Sequence, residues 1–196
     1  MLNISLAAKP VTSILRSQNK LARKANFRII HMGNTESTTG FELRNPVHLL
    51  ALGFGSGLIK PAPGTWGTLA SVPLFLLLIS VAPAGSVAFF AVLLVSFGLG
   101  VYLCGKTAND VGVHDHGAIV WDEFVGFWIT MAIVPSSWLN IVLGFILFRL
   151  FDILKPWPIK VLDKSVHGGF GIMIDDVLAG IFAATLLYFS QTFIGG

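Results

Sequence analysis

The chain has 196 residues, of which 54% are hydrophobic and only 12% charged, with a mean hydropathy of +0.78 and a formal net charge of +3. Typical soluble domains carry roughly 25% charged residues. These values therefore exclude an ordinary water-soluble globule and indicate one domain whose surface faces lipid as well as water.

Residues 1–44 read as a basic tail. Six of the thirteen Lys and Arg lie in the first 35 residues, which contain no Asp or Glu. Apolar and basic side chains interleave from Met1 to Ile30, a pattern suited to an amphipathic surface helix against anionic headgroups. The same acid-free, Ser-containing composition resembles an organellar transit peptide, and no long apolar core marks a signal peptide. His31 to Gly40 reads as a linker. Residues 45–196 are expected to form the membrane domain. Its first part, Asn45 to Ile59, is Gly-rich and suits an interfacial or re-entrant segment.

No charged residue or histidine lies between Lys60 and Lys106. Two spans fit there, Trp66 to Ala82 with Pro73 as a kink, and Ser86 to Cys104, separated by the turn Pro83-Ala84-Gly85. A polar loop follows from Gly105 to Gly117. A third span is expected from Ala118 to Val134, then the turn Pro135-Ser136-Ser137, then a fourth span from Trp138 to Leu154. A second polar loop covers Lys155 to Ile174, and a last span runs from Asp175 to about Phe193. The expected fold is an all-α polytopic bundle of about four to five spans. The two turns and the C-terminal stretch from Ser190 carry no charge, whereas every Lys and Arg lies in the N-terminal region, the polar loops or their flanks. The positive-inside rule then puts the N-terminus and both polar loops in the cytoplasm and the C-terminus outside.

Five of the ten acids sit in or beside these spans: Asp122, Glu123, Asp152, Asp175 and Asp176. A carboxylate next to hydrocarbon is costly and marks a functional site by default. The topology, drawn from lysines and arginines, delivers all three acidic clusters to one face. Asp122 and Glu123 point about 100° apart on a helix, so they do not share one ligand position. Arg149, Asp152 and Lys155 recur at i, i+3 and i+6 on one helix face. That pattern suits either a site matching metal and phosphate charges or a simple intrahelical ion pair. Asp175-Asp176 is read either as a metal site or as helix capping by acids in a first turn. Carboxylate oxygens favour a hard divalent cation.

The segment Gly53 to Leu69 holds five glycines and two threonines. It reads either as an anion site of backbone N–H groups at a helix start or as close packing between membrane helices. On the first reading, Gly64, Thr65 and Thr68 contact phosphate and Lys60 steers the headgroup. The loop with Asn109, Asp110, His114, Asp115 and His116 looks like a transition-metal site, but ligands clustered so tightly cannot readily surround one ion, and a solvated loop is the better reading. His48 and His167 have no assigned role. No nucleophilic triad, CxxC pair or nucleic-acid motif occurs. Cys104 lacks a charged neighbour in sequence to stabilise a thiolate and reads as a small buried hydrophobe.

Four stretches together resemble the bacterial phosphatidylglycerophosphatase A family: NPVHLLALGFGSGLIKPAPGTWGTLASVP, VYLCGKTANDVGVHDHGAIVWDEFVGFW, FRLFDILKPWPI and VHGGFGIMIDDVLAG. The resemblance implies a multi-pass enzyme of the bacterial inner membrane that requires Mg²⁺. It implies hydrolysis of phosphatidylglycerol phosphate to phosphatidylglycerol and inorganic phosphate, with Thr65, Asp122, Glu123, Asp152, Lys155, Asp175 and Asp176 as the family's acidic and polar positions. The expected metal ligands are the five acids, the expected phosphate contacts are Lys60, Gly64, Thr65, Thr68 and Arg149, and the expected partners are the phospholipid and the membrane, with no nucleic acid. Two other classes compete. A transporter or channel would spread its acids through the membrane depth. A CDP-alcohol phosphotransferase would carry an Asp-Gly…Ala-Arg…Gly…Asp…Asp signature, which is absent.

Overall fold

The computed structural model describes residues 40–113 and 116–194. Residues 1–39, with the surface-helix reading of the tail, and His114 and Asp115 lie outside the described residues. The rest is helical, with no strand among the described residues.

Helix α1, Pro46–Ala51, starts where the Asn45 side chain accepts the Val47 N–H at 3.0 Å and Pro46 fills the first helical turn. A 3₁₀ segment, Gly53–Leu58, follows, and then α2, Pro63–Val81, which continues past Pro73. Helix α3, Val87–Val111, is capped by Ser86, whose hydroxyl accepts the Phe89 N–H at 3.1 Å. It ends on Gly112 in the left-handed region, where glycine bears no Cβ penalty. Helix α4, Trp121–Thr130, is short. Helix α5, Trp138–Leu154, is capped by Ser137, and its chain turns away at Lys155, a left-handed residue with φ 42°. Helices α6, Ile159–Ser165, and α7, Gly168–Ile194, complete the fold.

Among the described residues, three helical stretches are long and apolar enough to cross a membrane: Pro63–Val81, Val87–Val111 and Gly168–Gln191. The expected third span is different. Helix α4 has ten residues, nine of them buried, and at roughly 15 Å it reaches half the depth of a hydrocarbon core. An apolar run reads the same whether its surroundings are lipid or protein, and here they are protein. The last helix also starts earlier than expected. It begins at Gly168, so no acid lies in its first turn. Asp175 and Asp176 therefore do not cap it. The expected Asn45–Ile59 segment divides into α1 and the 3₁₀ turn.

Helix α4 packs between α2, α3 and α7. Two buried indoles pin it: Trp121 Nε1 donates to the Ser96 carbonyl on α3 at 3.1 Å, and Trp128 Nε1 donates to the Ser71 carbonyl on α2 at 3.2 Å. Against α7 the backbones nearly touch. A Cβ at Gly180 would lie 2.4 Å from the Gly126 carbonyl oxygen, and one at Gly126 would lie 2.9 Å from that of Asp176. Helices α5 and α7 run antiparallel. At one end the Asn140 and Gln191 carboxamides exchange hydrogen bonds of 3.2 and 3.0 Å. At the other, Lys155 meets Asp175. The start of α4, the end of α5 and the early turns of α7 are thereby brought to one end of the bundle. Val87, Leu94 and Val95 on α3 and Leu77 and Val81 on α2 point outward, forming apolar faces suited to lipid.

Candidate metal and phosphate site

Three carboxylates converge at that end. Asp122, Glu123 and Asp176 each offer an oxygen, and the three oxygens lie within 4.8 Å of one another with all three residues buried. The first turn of α4 supplies the adjacent pair. Contrary to the expectation from their 100° separation, the two offer oxygens to one common space, because each side chain is long enough to reach it. The Gly126–Gly180 crossing lets α7 approach closely enough for Asp176 to join them. Asp176 Oδ2 is buried without a hydrogen-bond partner among the described residues. A buried acceptor with no donor is unfavourable unless a cation or water satisfies it. Three hard oxygen donors with no thiol or imidazole among them fit Mg²⁺ or Ca²⁺ far better than a soft transition metal. The site therefore passes a chemical test for the implied ion.

Asp152 and Asp175 stand beside this trio, each held by a cation. Arg149 bridges Asp152 on its own helix and Glu123, whose Oε1 lies 3.4 Å from Nη1. Lys155 does not continue the Arg149–Asp152 face. Its left-handed turn directs Nζ to Asp175 and Asp163, each at 2.6 Å. Partial burial works to lower the Lys155 pKa, but its hydrogen bonds to Asp163 and Asp175 outweigh that and hold it above the ordinary lysine value. Asp176 lies within electrostatic reach of the charges on Asp152, Asp122, Asp175 and Glu123. Five carboxylates thus meet two cations, Arg149 and Lys155. The ionised cluster is net negative, which favours a bound cation.

The Gly-rich segment divides between its two readings. Gly53 and Gly57 serve packing, since a Cβ at Gly57 would sit 2.1 Å from the Ala118 carbonyl oxygen. Gly64 sits at the charged cluster. A Cβ there would meet Glu123 Oε1 at 2.1 Å and both terminal nitrogens of Arg149 at 2.9 Å. The N-terminal turn of α2 therefore lies against the carboxylates and the guanidinium. Pro63 has no N–H and the Thr65 and Trp66 amides donate to the Ala62 carbonyl, so of its first amides only that of Gly64 remains for an anion. Thr65, half-buried, follows Gly64 in that turn. Thr68 is fully buried, and its hydroxyl donates to the Gly64 carbonyl at 2.8 Å, so its proton steadies the turn from within. Lys60 is exposed and forms no ion pair with a described residue.

Two features escaped the sequence reading. Asp163 grips Lys155, and its one signal is that it is the sole acid between Lys155 and Ile174. His48 accepts the Glu42 N–H at Nδ1 and meets Asp110 through Nε2 at 3.1 Å, while Lys106 also pairs with Asp110. This clasp ties α1 to the end of α3. Of the histidine loop, His116 accepts the Ala118 N–H at 3.1 Å and stacks edgewise on Phe41. Among the described residues, the loop contributes nothing to the grouping of metal-ligand atoms.

Comparison with known proteins agrees with the sequence. The family model described as Phosphatidylglycerophosphatase A matches residues 49–191. A phosphatidylglycerophosphatase A of Haemophilus influenzae is 57% identical over 150 residues, covering 76% of this chain and 91% of that protein. One of Escherichia coli is 51% identical over 149 residues, covering 76% of this chain and 85% of that protein. No solved structure matches the chain. The matched stretch takes in α2, α4, α5 and the acidic part of α7, hence the whole charged cluster. This chain belongs to the phosphatidylglycerophosphatase A family.

Proposed function

We propose that this chain is a Mg²⁺-dependent lipid phosphatase. It hydrolyses phosphatidylglycerol phosphate to phosphatidylglycerol and inorganic phosphate at the cytoplasmic face of a bacterial inner membrane. Family membership supports the reaction. The observation that carries the chemistry is the buried trio Asp122, Glu123 and Asp176 beside Arg149 and the start of α2.

In this reading the trio holds the metal, which when bound supplies Lewis-acid charge to a phosphoryl oxygen. Asp152 holds Arg149 in place, so the guanidinium presents its planar fork to phosphate oxygens. The Gly64 amide and the Thr65 hydroxyl donate from the α2 start, with Thr68 supporting the turn behind them. Exposed Lys60 draws the anionic headgroup inward. Asp175 and Asp163 keep Lys155 charged and fixed at the edge of the cluster. In the overall reaction an oxygen from water forms a bond to phosphorus. The bond from phosphorus to the glycerol oxygen breaks, its electron pair stays on that oxygen, and a proton follows. Arg149 and Lys155 offset the charge as it moves onto the leaving oxygen. The acyl chains remain in the leaflet beside the apolar outer faces.

Transport is the less favoured class. An ion path needs polar groups through the membrane depth, whereas the acids gather at one end and the uncharged Asn140–Gln191 pair occupies the other. The test is phosphate release from phosphatidylglycerol phosphate by the detergent-solubilised protein. Release that stops with EDTA and returns with excess Mg²⁺ is expected. Release indifferent to chelation would remove the metal, and no release in Mg²⁺ would remove the substrate.

A further inference from the structure

Helix α6 and the turn before it form a surface that the chemistry above leaves unused. Ile159, fully buried, and Asp163, bonded to Lys155, secure its inner side one helical turn apart. The outer side carries two different chemistries. Trp157 is 81% exposed and Val161, four residues on, is 51% exposed. Lys160 and Lys164, also four apart, are exposed and pair with no described acid. Ile153 and Leu154, at the end of α5, extend the apolar side. A large exposed indole and an aliphatic stripe are unfavourable in water. Indoles favour the membrane–water boundary, and lysines just outside the apolar layer favour anionic headgroups.

We propose that α6 is a binding surface for anionic phospholipid of the surrounding leaflet. Trp157 and Val161 enter the acyl boundary, and Lys160 and Lys164 contact the phosphodiester groups. Charge complementarity selects this occupant, as the two exposed lysines lack a protein counter-ion among the described residues and an anionic headgroup supplies one. The surface is joined to the charged cluster by one chain of bonds, from Asp163 on α6 through Lys155 to Asp175 on α7. Lipid held on the outer side thus steadies the side chain that holds Asp175. The consequence for catalysis rests on the phosphatase reading. The lipid contact itself does not.

The experiment uses the full chain in nanodiscs of zwitterionic phosphatidylcholine with or without phosphatidylserine, an anionic lipid that is neither substrate nor product. Brominated acyl chains, carried on either lipid, quench Trp157, whose emission is read as the difference between wild type and Trp157→Phe. Brominated phosphatidylserine is expected to quench more strongly than brominated phosphatidylcholine at equal mole fraction. The preference should be on the order of fivefold per lysine and should disappear in the Lys160→Gln, Lys164→Gln double variant. Equal quenching by the two lipids, or a preference that survives the double variant, would overturn the proposal. In parallel, phosphate release should rise with phosphatidylserine content in wild type and respond less in the double variant. A quenching preference without any phosphate release would leave the surface standing and defeat the phosphatase reading instead.

Discussion

At the scale of residues, charge pairing sorts five acids that look alike in sequence. Asp122, Glu123 and Asp176 share a buried space, at whose edge Glu123 also meets Arg149, whereas Asp152 and Asp175 stand outside the trio, each against a cation. The two groups should respond differently to neutral substitution. Losing a partner that only orients another group typically costs roughly 10–100-fold. Asp152→Asn, which releases Arg149, should fall in that range, and Asp176→Asn should exceed it and also weaken the Mg²⁺ dependence of phosphate release. Equal, small losses in the two variants would show that Asp176 is not a ligand. Lys155 gives a pH prediction. Its pKa in the folded chain is raised, so its stabilising contribution is complete below the ordinary lysine value of roughly 10.4 and fades as pH rises through the higher folded value. The difference in thermal midpoint between wild type and Lys155→Met should therefore stay flat from neutral pH to about pH 10 and shrink above it. A difference that already shrinks near pH 8 would contradict the ion pairs. Most of these acids could be picked out in the sequence because carboxylates are conspicuous in apolar runs. The Arg149–Asp152 pair was legible as well, from its i, i+3 spacing, but the partner of Asp175 was not, because the left-handed turn at Lys155 redirects a side chain that helical spacing assigns to Asp152.

At the scale of elements, α4 determines the site. It carries two acids into the bundle and holds them there through the Trp121 and Trp128 hydrogen bonds and the glycine crossing with α7. Gly180→Ala would drive a methyl to 2.4 Å from a backbone carbonyl that has little room to yield. Overpacking of this kind costs about 1–3 kcal/mol, so the thermal midpoint in detergent should drop, and activity should drop with it as α7 shifts Asp176 from Asp122 and Glu123. An unchanged midpoint would show that the crossing is looser than described. The sequence marks α4 as apolar but assigns it too great a length, running to Val134. Its hydropathy has two explanations, lipid and protein, and only the packing of α2, α3 and α7 around it selects the second. Helix α5, capped by Ser137 and stopped before Pro156, was legible at both ends because its start and stop signals are local.

At the scale of the whole molecule, the antiparallel pairing of α5 with α7 puts every acid of the cluster at one end and the Asn140–Gln191 pair at the other. Single cysteines introduced at exposed Lys60 and Lys164 should react with an impermeant maleimide from the same side of sealed vesicles, and one at exposed Ser137 from the opposite side. Reaction of Lys60 and Lys164 positions from different sides would separate the α2 start from the α6 surface and dismantle the proposed site.

The sequence by itself determined the membrane class, the family and most of the residues of the charged cluster. Hydropathy, charge placement and motif combinations are properties of order along the chain. Only the tertiary structure decided which carboxylates share a space, which are neutralised, and which apolar helix meets protein instead of lipid. Those outcomes depend on distances between segments far apart in sequence, set here by glycine-permitted helix contacts and by one turn that sends Lys155 back toward α6 and α7.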